Sequence, residues 1–202
     1  MKMKFLFTIM FLHSCFLFGQ VSDPVHTSIS SIREMSEELL MLGGKNNKSR
    51  VDSIHFFEKF PSTFSLFNAI YGDIDAPLYD YEQFCPHLEF LFSYHNIDSI
   101  ALINKLVGLS FDAHWDADGI NFLSKGMLEY VKLHTCGVVN VLKNKSEIES
   151  FSFWHFIFDG PHPSNKREDF NLIYTIVLTQ NGFQANLVRK AYDQLIKEDE
   201  HQ

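Results

Sequence analysis

The sequence predicts an all-α fold: a compact orthogonal bundle of about eight helices over residues 20–202, behind a secretory signal at residues 1–19. Three observations point there. Apolar residues recur at spacings of three and four through most of the chain, the period of one helix face. Helix-starting residues stand just before these stripes, and Gly or Pro just after them. The connections are short, and no clean internal repeat signals a solenoid.

The elements follow in order. Met1 to Lys4 is basic, Phe5–Phe18 is apolar except for His13 and Ser14, and Gly19 precedes Gln20, the layout of a cleaved export signal. A run of fourteen residues is shorter than the ~20 a membrane-spanning helix needs, and no later segment reaches that length uncharged. Cleavage before Gln20 is expected. Leu12–Cys15 resembles a bacterial lipoprotein box with Cys15 as the lipid acceptor, but His13 suits that pattern poorly.

Asp23-Pro24 opens a helix with stripe Ile29, Ile32, Met35, Leu39 and Leu42, ended by Gly43-Gly44. Val51–Phe60 is a short helix stopped by Pro61. Ser62 or Thr63 caps a third, with Phe64, Phe67 and Ile70 facing inward. After a loop at 73–77, a helix from Leu78 to Asn96 contains Pro86, which kinks it or starts its second half. Asp98 caps a helix bearing Ile100, Ile103, Leu106, Val107 and Leu109. Asp116 caps another, with Ile120, Leu123, Met127, Tyr130 and Val131 inward, and a separate short helix covers Cys136–Lys143. Ser146 to Glu149 forms a capping box that opens the aromatic helix Phe151–Phe158. Two prolines and a glycine make Asp159–Asn165 a turn. Phe170–Gln180 reads as a central helix and Phe183–Glu200 as an amphipathic one, its stripe being Leu187, Val188, Ala191, Leu195 and Ile196. Val138-Val139 and Ile173–Leu178 are β-branched runs that would also suit strands.

Charge narrows the partners. Loss of residues 1–19 removes Lys2 and Lys4, leaving 15 basic residues against 25 acidic ones and a formal charge of −10. Nucleic acid and anionic lipid both reward Lys and Arg, so neither is an expected partner; a basic protein is. Cys85 and Cys136 remain after cleavage, and an exported pair can form a disulfide, although buried cysteine also serves as a small hydrophobe.

No catalytic or cofactor motif emerges. Asp112–Gly119 partly follows a calcium loop through His114, Asp116 and Asp118, but the position needing a bidentate Glu holds Lys125. The histidines never adopt zinc-type spacing. G-x-S-x-G and phosphate-loop patterns are missing. His134 and Cys136 lie two apart, which sends them to different faces of a helix.

Two surfaces suggest contact instead. Tyr71–Glu82 carries four acids and three tyrosines without a base; tyrosine is enriched at interfaces. Asp73, Asp75, Tyr79, Asp80 and Tyr81 are therefore candidate partner-binding residues. The Asp159–Asn165 projection, with Asp159 and His162, is a second candidate. The profile is similar in type to small periplasmic immunity or inhibitor proteins that neutralise secreted toxins, which would imply protein binding without a cofactor. The alternatives are a helical module for a small molecule or lipid near Trp154, and a cell-envelope enzyme with dispersed catalytic residues.

Overall fold

Several helices begin where a side chain can satisfy the free N–H groups. Ser49 and Asp52 form a reciprocal capping box at α2, Arg50–Lys59, and Thr63 accepts from Leu66 N–H at α3, Phe64–Phe67. Asp98 caps α5, Ser99–Ser110. Ser146 and Glu149 close the expected box at α7, Glu147–Phe158, with N···O distances of 2.9 and 3.2 Å. The remaining helices are α1, Ile29–Gly43; α4, Tyr81–Ser93; α6, Gly119–Leu142; α8, Lys166–Gln180; and α9, Gly182–Asp199.

The computed structural model describes residues 29–44, 49–93, 98–116, 119–160 and 166–199. Among them it is 82% helical, with nine α-helices and no strand, an all-α bundle. The expected signal with Cys15 and the cleavage point at Gln20, the candidate metal residue Asp118, and His162 lie outside the described residues.

Several details depart from the sequence reading, among them Ile29, 87% exposed, and the start of α8 at Lys166 rather than Phe170. α4 starts at Tyr81 rather than Leu78, because Asp80 Oδ1 accepts the Glu82 N–H and acts as a cap. Leu78 is instead a fully buried loop anchor whose N–H bonds Ile70 O at 2.9 Å. The helix expected at Cys136–Lys143 is continuous with α6, broken only by non-helical geometry at His134 (φ −125°, ψ 23°). α8 is not a central helix, since it packs mainly on α6 and α9. α7 packs against α5, α6 and α9 and buries Phe153, Trp154, Phe156, Ile157 and Phe158; α8 turns Leu172 and Leu178 outward. Ile100, expected inside, is 57% exposed.

Buried residues from all nine helices form one core cluster. A polar network crosses it. Trp154 Nε1 donates to Gln184 Oε1 (2.8 Å), and Gln184 Nε2 donates to Leu142 O and Ser150 Oγ (3.1 Å each). A second buried pair joins Tyr71 Oη and His87 Nδ1 at 3.0 Å. Burial pushes the Tyr71 phenol well above its ordinary range, so it keeps its proton.

α5 clamps the turn between α2 and α3. Lys105 Nζ donates to Phe60 O and lies over the Phe57 ring, and a Cβ built on Gly108 would stand 2.2 Å from Ser62 O. Burial pulls Lys105 down to about 8 from its ordinary 10.5. The folded state thus releases this proton while the unfolded chain still holds it, so stability from this group rises with pH between those values. Urea unfolding should show the wild type gaining stability relative to Lys105→Met as pH increases from 8. A difference that stays flat would remove Lys105 as the cause. Above the ordinary phenol value of 10, Tyr71 acts oppositely in both proteins, because only the unfolded chain ionises there.

Candidate partner-binding groove

The acidic tyrosine loop is built on an unusual turn. Residues Asn68–Gly72 continue α3 as a π-helical turn that buries Ile70 and Tyr71; such turns are rare and frequently lie at functional sites. Leu78 then ties the loop's far end back to Ile70. Between these anchors Asp73 Oδ1 accepts from Asp75 N–H at 3.4 Å, and Asp73 O from Ala76 N–H at 2.8 Å. The loop is held by its own backbone and projects what remains.

What remains is a groove of about 520 Å³ lined by Ile74, Pro77, Tyr79, Asp80, Tyr81 and Gln83, among others. Tyr81 is 56% exposed and Ile74 75% exposed. The Tyr81 ring stands edge-on to Phe84 and Phe122, with centroids at 5.5 and 5.3 Å. Its phenol is raised above the ordinary value, first by its hydrogen bond with Cys85, so the groove's negative charge comes from the carboxylates. Gln83 Oε1 is buried without a hydrogen-bond partner, an acceptor whose desolvation is uncompensated.

The structure thus brings Tyr79, Asp80 and Tyr81 to one groove, with Asp73 and Asp75 exposed on the same loop. Asp73 and Asp80 also have structural tasks, in the turn and at the α4 cap. Asp159 lies elsewhere. It is the C-cap of α7, and its Oδ2 accepts the Trp115 N–H at 2.8 Å. Sequence reading missed Ile74 and Gln83, whose roles depend on burial and which no spacing rule marks.

The disulfide is not formed, and both cysteines are free. Phe84 meets Phe122, which sets Cys85 beside the start of α6, whereas Cys136 lies fourteen residues beyond Phe122. At ~1.5 Å per residue that is roughly 20 Å, far outside the ~7 Å limit between Cα atoms of a disulfide. Cys136 Sγ instead accepts from Gln180 Nε2 at 2.7 Å, while the His134 ring lies against Tyr130 at a tilt of 36°. His114 packs edge-on to Phe64. Among the described residues no group of three or more His, Cys, Asp or Glu side chains could hold a metal ion. No helix there is long and apolar enough to cross a membrane.

Trp154 is the residue beside which the small-molecule alternative places its ligand. It is fully buried, and its indole N–H is given to Gln184. No protein-family model matches the sequence, and comparison with curated proteins and with solved structures likewise returns no match.

Proposed function

We propose that this is an exported protein-binding protein, of the periplasmic immunity or inhibitor type, which docks a basic protein on the 73–84 groove. The observation that carries this reading is the groove itself: exposed Ile74 and Tyr81 beside acidic side chains, on a loop pinned at both ends. Tyrosine and an aliphatic side chain supply contact area that can be desolvated. The carboxylates accelerate encounter with a positive partner, an effect that fades with salt.

A photo-crosslinking residue at position 81, introduced in the producing cell, should trap one basic protein in preference to the same probe at exposed Thr175. The crosslinked chain should begin at Gln20 by intact mass. Identical adducts from both positions, or a chain still starting at Met1, would sink the proposal. With the trapped partner in hand, charge and contact separate by kinetics. Asp75→Asn with Asp80→Asn retains an amide oxygen for the α4 cap and should slow association about tenfold at low salt, with little effect at high salt. Tyr81→Ala should speed dissociation at any salt, by roughly 2 kcal/mol or about thirtyfold. Unchanged rates in all these variants would reduce the loop to a solvated edge.

A further inference from the structure

A second pocket, unrelated to the acidic groove, lies where the end of α7 meets α6 and the first turn of α8. Its volume is about 420 Å³, and its lining includes Ser124, Lys125, Leu128, Phe158, Asp159 and Lys166. That volume falls in the range of small-molecule sites, which combine an apolar wall with a few placed polar groups. The apolar wall is Leu128, Ile157 and Phe158, the last two almost fully buried.

The charges around this wall are unevenly matched. Lys132 spans Asp169 at 2.9 Å and Glu129 at 3.0 Å, so one cation serves two carboxylates. The Asp169 hydrogen bond, followed by that of Glu129, raises the Lys132 pKa and keeps it charged. The Lys166 side chain is only 9% exposed, and its ammonium donates to Asp199 Oδ2 at 3.2 Å. That is one acceptor for three N–H donors, in a lysine already withdrawn from water. Lys125 is exposed at the rim and makes no ion pair or hydrogen bond among the described residues. Asp159 receives the Trp115 backbone N–H and pairs with no cation among the described residues. One pocket therefore holds an unmatched cation, an under-satisfied buried ammonium, an unmatched carboxylate and an apolar wall.

We infer that this pocket binds a small apolar zwitterion, of the class of a free aliphatic α-amino acid. Its carboxylate lies toward Lys125 and Lys166, its ammonium toward Asp159, and its side chain against Leu128 and Phe158. An anion alone would meet Asp159, and Glu129 whose Lys132 is already shared with Asp169; a cation alone would meet the two lysines. Only a molecule bearing both charges relieves both mismatches. Ser124 shapes the site without spending itself on the ligand, since its hydroxyl is directed to Phe156 O and Asp159 O, both at 3.0 Å. This site stands independently of the groove on residues 73–84.

The protein carries its own reporter. Trp115 is partly exposed and lies beside Gly160 at the pocket rim, whereas the other tryptophan, Trp154, is sealed in the core. Fluorescence titration of the full mature chain with L-leucine should show a saturable change in emission. L-Leucinamide lacks the carboxylate and isocaproate lacks the amine, yet each keeps the same aliphatic body; both should bind at least tenfold more weakly. Lys125→Met and Asp159→Asn should each weaken leucine binding at least tenfold with unchanged circular dichroism, and the asparagine retains an oxygen for the Trp115 N–H. Equal binding of leucine and either single-charge analogue would overturn the zwitterion assignment. So would no saturation below about 10 mM, a free energy of only ~−2.7 kcal/mol. So would leucine affinity unchanged in both variants.

Discussion

Replacing Gln184 by Leu should destabilise the protein by about 3 kcal/mol, lowering Tm by roughly 6–12 °C for a chain of this size. Gln184 is one of the few buried polar side chains and has no idle group. Its Oε1 holds the Trp154 indole N–H, and its Nε2 serves Leu142 O and Ser150 Oγ. Leucine matches its volume and adds apolar contact, yet strands the indole N–H in a core where no water replaces the lost acceptor. Stranding a buried donor costs ~1–3 kcal/mol, more than the net gain from forming the bond. Trp154→Phe should cost a similar amount, through the orphaned Oε1 and the lost ring volume. The double variant separates causes. If the hydrogen bond is responsible, the pair should cost at least 1 kcal/mol less than the sum of the singles, because neither polar group remains to be stranded. Additive losses measured by urea unfolding would assign the effect to packing alone.

Gly108→Ala should also destabilise by about 2 kcal/mol, against the local preference of a helix. On an open helix surface that change gains ~1 kcal/mol, since alanine is the better helix former. Here the added Cβ would lie 2.2 Å from Ser62 O, a backbone atom in the turn that α5 crosses. The turn cannot swing aside cheaply. Phe60 and Pro61 are buried, and Phe60 O receives the Lys105 ammonium from the same helix. Overpacking of this kind costs ~1–3 kcal/mol or more, and the rigid neighbour sets the upper end. A thermal scan in which Gly108→Ala melts at or above the wild type would show that the α2–α3 turn yields.

Elements marked by local chemistry were legible in the sequence. The Ser146–Glu149 box, the Asp98 cap and the stop at Pro61 depend on residues three or four apart and appear where the spacing put them. The start of α4 was misplaced because Leu78 continues an apolar stripe, while the decisive signal was Asp80 two residues before Glu82. The reading of α8 as a central helix failed for a related reason. Apolar content does not tell which helix acquires neighbours on several sides, and Leu172 and Leu178 simply face water.

The functional surfaces were legible only as composition. The acids and tyrosines of residues 73–81 were visible, but not the groove between them or the stranded oxygen of Gln83. The pocket at Lys125, Asp159 and Lys166 draws on three helices and has no signature in any one of them. The same holds for Gln184, which reaches partners 30 to 42 positions earlier in the chain.

The join between α8 and α9 has a consequence for how the chain folds. A single residue, Asn181, separates Gln180 from Gly182; its N–H closes α8 on Val177 O, and its Oδ1 caps α9 at Gln184. Almost no chain entropy is lost in bringing these two helices together, since loop closure grows more costly with length. The pair can therefore assemble as a local hairpin ahead of the rest. It then presents Gln184 and the α9 stripe as a ready surface for α7 and its Trp154. The C-terminal fifth of the polypeptide is thereby cast as a template for the largest of the fully buried side chains.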